Sequence, residues 1–204
     1  MKKFELTNEF ITNMFGTKLF RIRALVEFGD VEAGELGGYV EKESNLGHDD
    51  NAWVYDNAWV YGDAQVSGDA RVYDNAWVYG DAQVSGDALV YDNAWVYGDA
   101  QVSGDALVYG NARVYGDARV CGNGDYAYAH GFGSVNRTTT FFRLKDGGVG
   151  VRCGCFYGTL AQFRDKIRET HGESAIAEEY LDLAALMEKR FRRTGNEQKT
   201  EEES

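Results

Sequence analysis

A chain of 204 residues with 44% apolar side chains is long enough for one sizeable core or two small ones, which argues against general disorder. Its formal net charge of -12 opposes non-specific attachment to nucleic acid or anionic membrane, since both need clustered Lys and Arg. Three cysteines, two of them one residue apart, do not make a disulfide framework; with no proline and 25 glycines, the turns fall to Gly, Asp and Asn.

Residues 1–33, with FELT and LFRIRALVEF separated by glycine, are expected to form strands that cover the open edge of a downstream repeat array, an N-terminal β cap. No run approaches the eighteen or so apolar residues of a spanning helix, and MKKFELTNEF lacks a signal-peptide h-region, so the expected location is the cytoplasm. In LGGYVEKESNLGHDDN, Leu36, Val40 and Leu46 take inward positions, but Lys42 and His48 stand where Val is expected. This stretch reads as a distorted first turn of a repeat domain spanning 34–123.

From Ala52 to Asn123 a six-residue unit recurs twelve times: Ala, a variable residue, Val, Tyr or Ser, Gly or Asp, Asp or Asn. Residues two apart in an extended segment share a face, so each Ala-x-Val is a very short strand with both apolar side chains inward. The next two residues are turn formers. Residues 58–75, AWVYGDAQVSGDARVYDN, return at 76–93 with one change, so the longer period is eighteen. Three strands and three corners make one triangular coil, and coils stack at roughly 4.8 Å.

Beyond Asn123 the pattern fails at GDYAYAHGFGS. TTTFFRL and VGVRC flank KDGG as a hairpin. TLAQFRDKIRETHG is a helix opened by a Thr159/Gln162 capping box and ended before Gly172. A second helix from Ala175 carries Ile176, Tyr180, Leu183, Met187 and Phe191 on one side. Residues 124–193 are thus a small ββαα unit, and 194–204 read as a disordered tail.

Read from Val, each unit is V-[Y/S]-[G/D]-[D/N]-A-x, which resembles the hexapeptide repeat of left-handed parallel β-helix proteins. That resemblance, and not the periodicity, implies the left hand. FRIRALVEFGDVEAGELGGYVEKESNL and VRCGCFYGTLAQFRDKIRETHG, around such an array, also resemble largely uncharacterised phage and gut-bacterial proteins. The expected fold is mainly β: a triangular solenoid with an N-terminal β cap and a C-terminal ββαα unit.

The outward residues distinguish three walls. One carries Trp59, Trp77, Trp95 and Arg113 beside Tyr61, Tyr79, Tyr97 and Tyr115. The second carries Gln65, Gln83, Gln101 and Arg119 beside serines and suits water. The third carries Trp53, Arg71, Leu89 and Leu107 beside Tyr55, Tyr73, Tyr91 and Tyr109. Each aromatic can bury about 150–250 Å², so a bare ladder would exceed what a monomer usually exposes. Three coverings are open: the ladder's own stacking under the C-terminal helices, self-association such as a trimer, or a separate partner. The corners stack Asp63, Asp81, Asp99 and Asp117 in one column, Asp69, Asp87 and Asp105 in the next and Asn57, Asn75, Asn93 and Asn111 in the third, a pattern explained by turn chemistry before cation binding or DNA mimicry.

The hexapeptide resemblance brings an acyltransferase into view, with His48 or His130 as the base, but neither lies in the regular array and no long loop interrupts it. Cys153 and Cys155 point to one side of a strand and read as core thiols before zinc ligands with Cys121 or His171. No cofactor is expected, and GFGS and DGGVG lack the context of a nucleotide loop. The reading is a non-catalytic binding or scaffold protein whose partners are itself and a host protein or small nucleotide, with Arg71, Arg113 and Arg119 as anion contacts. The phage resemblance implies a phage or mobile-element origin and carries no reaction; from that origin the target is expected to be a host component, with inhibition of a host defence system as the hypothesis.

Overall fold

The computed structural model describes residues 2–133 and 135–194, with helical backbone continuing to Glu202. The chain divides into two compact units, Met1–Asp117 and Ala118–Ser204.

The first unit opens with an antiparallel hairpin, β1 (Phe4–Thr12) and β2 (Lys18–Ala24), succeeded by β3 (Leu36–Val40), which pairs antiparallel with β2. A solenoid comes next. β4 (Trp53–Val54), β5 (Trp59–Val60) and β6 (Gln65–Val66) form one coil. β7 (Arg71–Val72), β8 (Trp77–Gly80) and β9 (Gln83–Val84) form the second. β10 (Leu89–Val90), β11 (Trp95–Gly98) and β12 (Gln101–Val102) form the third, and β13 (Leu107–Val108) with β14 (Arg113–Tyr115) close this unit.

Each strand pairs in parallel with its counterpart one coil on, Trp59 on Trp77 and Gln65 on Gln83, so three sheets make three walls. The inward columns, Ala52 to Ala112 and Val54 to Val114, are completely buried. Fully burying a Val is worth about 1.5–3 kcal/mol, and eleven of them line this interior as its main stabilisation.

The cap is built into one wall. β3 pairs in parallel with β5, so the hairpin extends the sheet β3-β5-β8-β11-β14. The register there explains the imperfect frame upstream. Val40 lies on Val60 and Leu46 on Val66, each twenty positions on, whereas later coils repeat at eighteen. This first coil is two residues longer, so Lys42 and His48 never occupy core positions. Lys42 instead reaches Asp63 Oδ1 at 2.6 Å, and His48 stacks on Phe4. Leu36, expected inward, is 48% exposed; buried Gly37 and Gly38 take the interior, where a Cβ on Gly37 would lie 2.7 Å from Ile22 and 2.8 Å from Trp53.

Trp53, assigned to an outward wall, is fully buried with its ring edge-on to Phe4 and Phe28. Beside it, the buried Lys3 ammonium donates to the carbonyls of Asp50 and Ala52, both at 2.8 Å. Burial lowers the Lys3 pKa, and the Asp50 carboxylate opposes that shift. Asn45, completely buried in a single 3-10 turn, donates to the carbonyls of Gly62 and Ala64 and so satisfies a corner.

The second unit begins with β15 (Arg119–Val120) and contains an antiparallel sheet of β16 (Tyr126–Phe132), β17 (Arg137–Arg143), β18 (Val149–Cys153) and β19 (Phe156–Thr159). The expected hairpin is its centre; β16 and β19 are added on either side. Helix α1 (Leu160–His171) carries the expected capping box, with Thr159 Oγ1 accepting from Gln162 N and Gln162 Oε1 accepting from Thr159 N. Helix α2 (Ala175–Glu202) packs Tyr180, Leu183, Met187 and Phe191 with Phe163, Ile167 and Phe141. The stretch 194–204, read as a disordered tail, instead continues helix α2 as far as Glu202, and within it only residues 203–204 have no described backbone. No helix among the described residues is long and apolar enough to cross a membrane.

Candidate functional site: the stacked aromatic wall

Strict repetition at eighteen residues sets identical side chains one strand spacing apart, and flat rings at that spacing stack. Trp59 and Trp77 lie 4.5 Å apart and 7° from parallel; Trp77 and Trp95 lie 4.7 Å and 5° apart. Tyr61, Tyr79 and Tyr97 form a second column at 4.9 and 4.8 Å, and Tyr115 tilts onto Tyr97 at 4.5 Å. Edge contacts join the columns, as between Trp95 and Tyr97 at 6.5 Å. The wall is thus largely covered by its own stacking: Tyr61 is buried and the three tryptophans are half-buried.

Arginine closes both ends of the tryptophan column. Arg113 lies 4.3 Å from the Trp95 ring, on the face that a fourth tryptophan would occupy. At the other end Tyr39 is in register with Trp59, and Arg21 lies 5.3 Å from the Tyr39 ring. Arg21 Nη1 donates to the Tyr39 hydroxyl, which donates to Glu9 Oε1, both at 3.1 Å. Sequence reasoning missed Tyr39 and Arg21 because the longer first coil takes them out of the eighteen-residue frame.

Both faces of Trp77 are occupied by Trp59 and Trp95, so this wall presents ring edges and not faces. A base or sugar ring finds no open stacking platform along it. Beside the edges runs a shallow groove of about 330 Å³ between Asn75, Asn93 and Asn111 at the corner and Trp77, Trp95 and Arg113 on the wall. Amide groups and indole edges together suit a polypeptide surface, where apolar contact and hydrogen bonding alternate.

Within the first unit the two candidate arginines stand on different walls. Arg113 is on this wall, while Arg71 is on the sheet β4-β7-β10-β13, where its Nη1 pairs with Asp30 Oδ2 at 3.0 Å. Arg119 lies in the second unit and donates to the Ala118 carbonyl. Asp30 also accepts from the Tyr55 hydroxyl. Burial, reinforced by the Asp30 charge, pushes the Tyr55 phenol up to about 12. Burial likewise raises Tyr61, and raises Tyr73 with help from its stacked neighbour Tyr91.

Aspartates outside the two corner columns of Asp, one residue earlier at the third corner, act as structural hydrogen-bond acceptors. Asp74 Oδ2 accepts from Asp92 N and Asp92 Oδ2 from Gly110 N, each one coil on, at 3.2 and 3.0 Å. Cys153 ends β18 and accepts from Thr139 Oγ1, but Gly154 turns the chain with φ of 59°, so Cys155 sits exposed in the turn and not on the same strand. Among the described residues no group of three or more His, Cys, Asp or Glu is arranged to hold a metal ion. The His48 Nδ1 accepts from Lys3 N, and His130 Nδ1 is bonded to Thr138 Oγ1. Sequence reasoning also missed Met14 and Phe15, 80% and 78% exposed on the β1–β2 turn, where Asn13 Oδ1 accepts from the amides of Phe15 and Thr17.

Stacked parallel walls with an interior of Val and Ala define a β-solenoid repeat protein. Within that class, the chain is similar to the YdcK beta solenoid repeat family, whose model matches residues 64–80, 82–98 and 100–116. Each matched segment lies within one eighteen-residue period of the coil. No curated protein matches the chain.

Proposed function

We propose that this is a non-catalytic binding scaffold whose aromatic wall docks on protein surfaces, a second copy of the chain first among them. The observation that carries the reading is the in-register stack Trp59–Trp77–Trp95, which fixes a row of indole edges beside an asparagine-lined groove. Rigid, pre-stacked rings lose little side-chain freedom on binding, which favours association. The resemblance to phage-encoded arrays extends the proposal: the occluded surface belongs to a host defence component. Sequestration of a small nucleotide is less favoured, because ring faces are occupied and Arg71 stands on another wall, paired with Asp30. An acyltransferase is less favoured too, because His48 is stacked on Phe4 with its Nδ1 engaged by a backbone amide.

Light scattering on the full chain and on the Trp77→Ser, Trp95→Ser double variant tests the wall. The expected result is an oligomeric mass that falls toward the monomer in the variant with its circular dichroism intact. An unchanged mass removes self-association through this wall. Acetyl-CoA turnover that disappears in His48→Ala or His130→Ala would restore the enzyme reading.

A further inference from the structure

We propose that the second unit holds a binding site for a small organic anion with a ring-sized apolar body. A cavity of about 320 Å³, at the lower end of the roughly 300–1,000 Å³ typical of ligand pockets, lies between α1 and the end of the sheet. Phe156, Phe163, Ile167 and the ring of Tyr180 give it an apolar lining. Arg137, Lys166 and His171 also line it, and among the described residues no acidic one does, in a chain whose formal net charge is -12. That local reversal of sign selects an anion.

Arg137 is the centre of the site. It opens β17, and no described carboxylate or carbonyl pairs with its guanidinium, whereas Lys166 is paired with Glu169 at 2.9 Å. The Cys153–Gly154–Cys155 turn holds it in place: Gly154 has φ of 59°, and a Cβ there would overlap the Arg137 guanidinium. The positive φ is what demands glycine there, and its bare Cα leaves the space in which the guanidinium lies, so that a Cβ would push the guanidinium aside. The Tyr180 hydroxyl donates to the Phe132 carbonyl, and burial pushes its pKa up to about 12, so it adds no negative charge to compete with a ligand. The ring of His171 lies 6.0 Å from that of Tyr180 and adds a further donor at the wall. An anionic head at Arg137 and a ring between Phe156, Phe163 and Ile167 satisfy both halves of the cavity, which is the chemistry of an aryl carboxylate or aryl phosphate.

The probe is 8-anilinonaphthalene-1-sulfonate, titrated by fluorescence into the full chain, with neutral N-phenyl-1-naphthylamine as its uncharged counterpart. One saturable site is expected, with the sulfonate preferred. Arg137→Gln should weaken the sulfonate by about tenfold or more while moving the neutral probe less than about twofold, as expected for loss of one charge-assisted contact. Gly154→Ala, which keeps every charge but displaces the guanidinium, should weaken it as well. Phenyl phosphate or benzoate should displace the probe, and whichever does so more strongly identifies the preferred head. Full sulfonate affinity in both variants, equal affinity for the neutral probe, or loss of binding in Trp77→Ser would overturn the proposal.

Discussion

At each corner of the solenoid one residue takes a positive φ, and the sequence fills that place in two ways. Two columns use glycine, as at Gly68 and Gly86, with φ of 68° and 67°. The third uses aspartate at Asp56, Asp74 and Asp92, with φ of 52°, 58° and 59°. The two are not interchangeable. A Cβ on Gly68 would meet the backbone nitrogen of Gly86 at 2.8 Å, so that column stacks too closely for any side chain. In the aspartate column the left-handed backbone costs about 1–2 kcal/mol per residue, and the carboxylate offsets it by accepting the amide of the next coil. Gly68→Ala is therefore expected to cost about 1–3 kcal/mol, from the positive φ together with the contact. Asp74→Gly should cost less, because relief of the backbone compensates for the lost hydrogen bond. Urea unfolding of both variants measures the order, and equal losses would mean that close corner stacking is not what demands glycine.

Individual elements differ in how far they can be read from residues alone. The array is legible because a strict period of eighteen makes register, inward face and stacking partner the same fact. Helix α1 is equally legible, since Thr159, Gln162 and Gly172 mark its ends by local hydrogen-bonding chemistry. The first coil is not: two additional residues between Leu46 and Trp53 are invisible until Val40 is seen on Val60, and with them goes the place of Tyr39 atop the tryptophan column. β16 is missed because YAYAHGF has no β-branched residue and its pairing with β17 is interrupted by a register shift between Ala129 and Phe132. The cavity beside Arg137 is assembled from separate segments, and no spacing announces it. One tertiary pairing in the second unit makes a prediction at this scale. Asp125, almost fully buried, accepts from Cys121 N and faces Arg143, whose guanidinium also donates to the Phe191 carbonyl and Thr194 Oγ1. Asp125→Ala strands a mostly buried cation among neutral acceptors and is expected to cost about 3–5 kcal/mol. Thermal unfolding followed in the aromatic region reads that loss, and a decrease below about 1 kcal/mol would show that the carbonyl and hydroxyl contacts suffice to hold Arg143.

Across the whole molecule, both units contain a phenol whose ionisation the fold suppresses. Tyr55 in the first unit and Tyr180 in the second are each pushed up to about 12, in both cases by burial first. Asp30 adds to that shift at Tyr55, and Cys153 adds to it at Tyr180. An unfolded tyrosine ionises near pH 10, so above that value the unfolded chain releases protons that the folded chain retains. The stabilisation from the neutral phenols is thus complete below about pH 10 and is lost as pH rises through about 12, which makes both units weaken over one alkaline window. Absorbance at the phenolate band in native protein should show these groups titrating later than tyrosine in the unfolded chain. Tyr55→Phe should remove one late-titrating group and reduce the steepness of the alkaline loss of stability, despite deleting the hydrogen bond to Asp30. Tyr180→Phe should do the same in the second unit. If either variant keeps the full late phenolate amplitude, its hydroxyl is open to water in the folded chain, and the alkaline weakening of that unit must come from other groups.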